Sequence, residues 1–116
     1  MANKTELGAL TVRQLRARRR RLAKKLGDPE ATLRGALISQ GRRCGKPGCH
    51  CAQGELHGPY VYLQVGRATG TARLLYVPAF LAEAVRERVA LTEAAEATLA
   101  EISAINLELL ARRELE

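Results

Sequence analysis

Apolar residues fall along this chain in three successive rhythms. Between Thr11 and Leu26 they recur as Val12, Leu15, Leu22 and Leu26, a stripe at helical spacing with Arg19 in the missing step. Thr11 can cap the first backbone amides and Gln14 completes a capping-box pattern, while Gly27 and Pro29 stop the chain from continuing. The spacing predicts a helix over 11–26. Asp28-Pro29-Glu30 reads as a second, short turn of helix with Asp28 as its cap, and Ala36–Ser39 as a short strand. Tyr60–Val65 and Thr71–Val77 alternate with period two around the turn-rich Gly66-Arg67-Ala68-Thr69-Gly70, which predicts a β-hairpin. Pairing Val65 with Thr71 places Val61, Leu63, Leu75 and Val77 on one face. Tyr60, Tyr62, Leu74 and Tyr76 then share the other.

Beyond Pro78 the rhythm changes again. Leu81, Ala84, Arg88, Leu91, Ala95, Thr98, Ile102, Ile105 and Leu109 step alternately by three and four, a heptad-like stripe widened by Val85, Val89, Leu99 and Leu110. A helix over 79–113 would span about 50 Å at 1.5 Å per residue, beyond the ~30 Å of a small domain. It must pack on the N-terminal helix, on a second copy of itself in coiled-coil fashion, or on both. The expected fold is α+β in a single domain, 1–116. It comprises a basic helix (11–26), a loop plus hairpin (33–78) that becomes three-stranded if Ala36–Ser39 joins it, and a long amphipathic helix (79–113).

Charge separates the two ends of the chain. The net charge is +7, yet residues 1–78 carry +11 and residues 79–116 carry −4. The N-terminal helix holds Arg13, Arg16, Arg18, Arg19, Arg20, Arg21, Lys24 and Lys25 with no acid between Glu6 and Asp28. Such an array repels itself at (i, i+3) and (i, i+4) spacing. Nucleic-acid phosphate would neutralise it and release counterions; the acidic C-terminal helix lying alongside would do the same internally. Met1–Leu10 lacks the apolar core of a signal peptide, and no later run approaches a membrane span. These features predict a soluble, cytoplasmic protein with reduced cysteines and no membrane partner.

All three cysteines and both histidines lie in one loop, spaced Cys44-x4-Cys49-x-Cys51-x5-His57, with glycine or proline wherever the backbone must turn. Three thiolates and one imidazole make the Cys3His set of a structural zinc site. His50 or His57 could supply the nitrogen. An extended Cys49-His50-Cys51 sends His50 away from the two sulfurs, which favours His57. An enzyme would need an open zinc position, and Glu55 is the one acid near the loop; a metal-dependent hydrolase is therefore the minor alternative. The tyrosines can either cover the core of a chain without Trp or form a contact surface for bases, sugars or a partner.

The block Arg42-Arg43-Cys44-Gly45-Lys46-Pro47-Gly48-Cys49-His50-Cys51, followed by His57-Gly58-Pro59-Tyr60 and a hairpin ending Tyr76-Val77-Pro78, resembles a family of small bacterial and archaeal proteins catalogued as a domain of unknown function. The resemblance spans about Leu33 to Leu110. It implies a metal-knuckle and hairpin unit of the kind found near mobile genetic elements, and no activity. On the residues, the leading expectation is a zinc-stabilised nucleic-acid-binding protein, DNA before RNA, acting as a homodimer through its C-terminal helix. Its contacts would be Arg13, Arg16, Arg19, Arg20, Lys24, Arg42, Arg43, Lys46, Arg67, Arg73, Tyr60 and Tyr62. The alternative is a protein-interaction subunit of a larger nucleic-acid-processing complex.

Overall fold

The computed structural model describes residues 4–46, 48, 49, 54–66 and 72–116. In chain order it contains α1 (Lys4–Gly8), α2 (Val12–Ala23), a 3-10 turn (Pro29–Ala31), β1 (Ala36–Arg42), β2 (His57–Val65), β3 (Arg73–Tyr76), a second 3-10 turn (Ala79–Leu81) and α3 (Ala82–Ala111). The strands form one antiparallel sheet in the order β1-β2-β3, so the fold is α+β as expected. The chain divides into two compact units: the part up to Ala31 together with Leu91–Glu116, and Thr32–Ala90 between them.

In the first unit the helix predicted over 11–26 starts where its capping box requires. Thr11 Oγ1 accepts from Gln14 N at 3.1 Å while Gln14 Oε1 accepts from Thr11 N at 2.9 Å. It ends earlier than predicted, because the helix stops at Ala23 with Lys24 as cap. Gly27 is therefore not its terminator; Leu26 lies outside the helix and is exposed. Leu15 and Leu22 are buried with Leu7 of α1 and with Ile105 and Leu109 of α3, and Leu10, Val12, Ile102 and Ala104 pack around them. Arg19 fills the missing step of the stripe by donating to Asn106 Oδ1 at 2.7 Å, a polar contact at the margin of the leucine core. The short turn at Pro29 forms as predicted, with Asp28 Oδ1 accepting from Glu30 N at 3.0 Å. The helix α1, absent from the sequence reading, supplies Leu7 and is tied down by Arg112, whose guanidinium donates to the Leu7 and Gly8 carbonyls.

In the second unit β1 pairs with β2 from Ala36↔Gln64 to Gln40↔Tyr60, which makes the sheet three-stranded. The hairpin register differs from the sequence expectation: Val65 pairs with Arg73, and Thr71 lies outside the described residues. A slip of two residues keeps every side chain on its predicted face, since the side-chain period of a strand is two. Leu63 and Val77 are accordingly buried with Val89, backed by Leu33, Leu37, Val61, Val65, Ala82 and Val85.

The stripe of the long helix needs one correction. Its first steps, Leu81, Ala84 and Arg88, face solvent, while Ala82, Val85 and Val89 turn inward one residue later. Ala79–Leu81 form a tighter 3-10 turn before the α-helix begins, and within α3 the inward positions serve two cores, Ala82, Val85 and Val89 that of the sheet and Ile102, Ile105 and Leu109 the leucine core. From Ile102 to Leu109 the predicted stripe and the buried one coincide.

Candidate functional site

The His57-Gly58-Pro59-Tyr60 segment begins β2 with an interruption of the ladder. Gln40 pairs with Tyr60 and Arg42 with His57, so Gly58 and Pro59 together stand opposite Gly41 alone. This is a bulge, with the extra residue on β2. Proline suits it because a bulge needs no ladder N–H at that position. Gly58 suits it for two reasons: its φ is +104°, and a Cβ there would sit 2.7 Å from the backbone nitrogen of Tyr60. The consequence is chemical. Without the extra residue, alternation would point His57 to the side of Val61 and Leu63; with it, His57 shares the face of Tyr60 and Tyr62.

There His57 meets the cysteines. Its Nε2 lies 3.0 Å from Sγ of Cys49, and the ligand atoms of Cys44, Cys49 and His57 all fall within 4.8 Å of one another. A tetrahedral zinc, with Zn–S near 2.3 Å and Zn–N near 2.0 Å, spaces its ligands about 3.5–3.8 Å apart. The separations bracket that value, so these donors fit the ion with small side-chain adjustments. Two cysteines and one histidine of the predicted set are thus brought together, with His57 as the nitrogen. Cys51 and the competing His50 lie outside the described residues, as do Pro47 and Arg67. Glu55 is exposed and stands apart from this cluster.

The cluster opens into a hollow of about 290 Å³ lined by Arg42, Cys44, Lys46, Cys49, His57 and Tyr60. Arg42 lies over the Tyr62 ring, 4.8 Å from its centroid, and donates through Nε to the Tyr62 hydroxyl at 3.1 Å. Tyr76 stands edge-on between its neighbours, 6.3 Å from Tyr60 and 5.9 Å from Tyr62 between ring centroids. All three tyrosines of the chain therefore share one sheet face, contiguous with the sulfur–imidazole cluster. Tyr76 is 57% exposed, so the core is not where its area is used.

The predicted basic contacts divide. In the first unit Arg16 pairs with Glu114 and Glu116, and Arg19 with Asn106 and Glu116, so the acidic C-terminus holds both. Arg18 pairs likewise with Glu6. Arg13, Arg20 and Lys24 remain on the exposed surface of or just beyond α2. In the second unit Arg42 and Lys46 border the hollow, and Arg43 is exposed beside them. Arg73 pairs with Val65 and so sits on the sheet side away from the tyrosines, in the last pair before the hairpin connection, where the two-residue slip placed it.

A sulfur–imidazole cluster beside an aromatic face of a three-stranded antiparallel sheet defines the class: a small α+β protein with a candidate metal knuckle. The chain belongs to the family described as Domain of unknown function (DUF6788), whose model matches residues 12–87. That span begins with α2 and ends early in α3, so the basic helix falls within the family's domain and most of α3 lies beyond it. No curated protein and no solved structure matches the chain. Among the described residues, no helix is long and apolar enough to cross a membrane.

Proposed function

We propose that this chain is a zinc-stabilised nucleic-acid-binding protein and not an enzyme, with DNA as its first ligand. One observation carries the reading: the Cys44, Cys49 and His57 cluster shares its hollow with Arg42, Lys46 and Tyr60. Cys44, Cys49 and His57, with Cys51 as the fourth donor, would hold the ion. Bound zinc would supply a structural cross-link between the loop and the start of β2. Arg42, Lys46 and Arg43 would meet phosphate and the tyrosines would meet the bases, while the exposed Arg13, Arg20 and Lys24 of the first unit would offer phosphate contacts of their own. Nothing in this set reads a base edge, so the affinity expected is general and strongly salt-dependent. The test is a low-salt mobility-shift assay of metal-loaded protein with mixed-sequence DNA and RNA, alongside elemental analysis. Zinc at about one per chain, and binding that weakens steeply with salt, support the reading. Absence of binding to either nucleic acid ends it.

A second reading is favoured by the far part of α3. Leu99, Leu107 and Leu110 are exposed within one helical arc, and Leu107 also borders a hollow lined by Leu7, Ala104, Glu108 and Ala111. This surface suits docking to a second copy of the chain or to a larger nucleic-acid-processing partner. Light scattering of wild type and Leu107→Glu distinguishes the copies from the partner: a dimer that the substitution dissociates identifies this face as the self-interface.

A further inference from the structure

The tyrosine face narrows the kind of nucleic acid, and this step rests on the nucleic-acid reading above. We infer that the sheet face bearing Tyr60, Tyr62 and Tyr76 is a stacking platform for unpaired bases, so that the ligand class is single-stranded nucleic acid rather than duplex. In a duplex the flat faces of the bases are stacked on one another, and a protein reaches only their edges and the phosphates. Aromatic rings on an open sheet offer little to such a surface. They offer a great deal to a single strand, whose base faces are free to stack on them.

The geometry fits that use. The three rings form one continuous patch, Tyr76 between Tyr60 and Tyr62, each neighbour edge-on at 5.9–6.3 Å. Tyr76 is 57% exposed and Tyr60 37%, which leaves ring surface for an incoming base. Tyr62 is covered by the Arg42 guanidinium, itself fixed by the hydrogen bond to the tyrosine hydroxyl. A guanidinium plane held over a ring is a second kind of stacking surface. Lys46 borders the hollow at the Tyr60 end of the patch, where a backbone phosphate would follow its base. Cys44, Cys49 and His57 form part of the wall of that hollow. The platform reads neither base identity nor the sugar, so unpaired DNA and unpaired RNA share the required chemistry.

The chain has no Trp and three Tyr, all on this face, so intrinsic tyrosine emission reports on the platform directly. The experiment uses the full-length, metal-loaded protein with an oligodeoxythymidylate of about 15 nucleotides, the corresponding oligouridylate, and a duplex of equal length. Affinities are read by anisotropy of labelled strands at low salt, and tyrosine emission by titration with unlabelled ones. The inference expects either single strand to bind about tenfold tighter than duplex and to quench tyrosine emission. It expects Tyr76→Ala and Tyr60→Ala each to weaken single-strand binding about tenfold while Tyr76→Phe stays near wild type. The quenching needs no variant and stands if an alanine substitution impairs folding. Duplex binding as tight as single-strand binding, with tyrosine emission unmoved, overturns the platform and leaves the broader nucleic-acid reading intact. Failure of all three probes to bind overturns both.

Discussion

Gly58 decides more about the candidate site than its size suggests. Its positive φ and the approach of the Tyr60 nitrogen exclude a side chain, and the bulge it begins carries His57 across the sheet to the cysteines. Gly58→Ala should therefore cost about 1–3 kcal/mol of stability, the ordinary range for a forced left-handed or clashing backbone. It should also weaken metal binding, because His57 moves with the bulge. Chemical denaturation and a zinc competition titration check both parts; a neutral alanine would contradict the close approach. At the other end of the chain Arg113 occupies φ +62° just after α3, with Glu114 N donating to Leu109 O at 2.8 Å and Arg113 N to Leu110 O at 2.9 Å. This is the paired closure of a helix end in which glycine is preferred. Arg113→Gly should raise stability by about 0.5–1 kcal/mol, since relief of the left-handed strain exceeds the entropy that glycine adds to the unfolded chain. A lower melting temperature for that variant would show that the guanidinium contributes something the backbone does not require.

At the scale of elements, sequence legibility varied with the kind of signal. The capping box of α2 lies in four consecutive residues and was readable, because its two hydrogen bonds are local. Thr11→Ala should cost about 1 kcal/mol, measurable by urea denaturation, while Thr11→Ser should cost little. The end of α2 was less legible. Gly27 looks like a terminator, but the helix ends at Ala23. Lys25 N and Leu26 N donate to Leu22 and Ala23 carbonyls, so the chain leaves the helix through tighter turns before glycine is reached. The hairpin faces were legible and its register was not. Alternation fixes which residues share a face, whereas pairing depends on how many residues the connection takes up. Likewise the inward stripe of α3 could be read from Ile102 onward. It failed at Leu81, which lies in a 3-10 turn before the helix, and at Ala84 and Arg88, because that part of α3 turns Val85 and Val89 to the core of the sheet.

For the molecule as a whole, the two compact units offer separate observables. All three tyrosines belong to Thr32–Ala90, whereas the leucine core around Leu15 and Leu109 belongs to the other unit. If zinc frames the loop, its removal by a chelator should abolish the near-ultraviolet tyrosine circular dichroism and leave most of the far-ultraviolet helical signal. A tyrosine spectrum indifferent to chelation of metal-loaded protein would mean that the sheet and loop stand without the ion. Charge behaves in the same divided way. The sequence offered phosphate or the acidic C-terminal helix as partners for the cations of α2, and the fold uses Glu114 and Glu116, just beyond the end of that helix, for Arg16 and Arg19. Exposed pairs of this kind contribute at most about 1 kcal/mol each, so competition with phosphate at these two residues remains energetically open.

What the sequence by itself determined is what local chemistry encodes: the elements other than α1, the two faces of the hairpin, the capped basic helix, and a loop concentrating every thiol and imidazole of the chain. Period-two and helical spacing, capping residues and ligand types are properties of neighbours, and neighbours are legible in one dimension. Only the tertiary structure decided which of these groups share a surface. The bulge at Gly58 and Pro59 brought His57 to the cysteines and to the tyrosine face, and packing gave Arg16 and Arg19 to the C-terminal acids. Both outcomes turn on where distant segments meet. One inserted residue in a strand reverses the side to which a side chain points, and residue spacing alone does not reveal such a reversal.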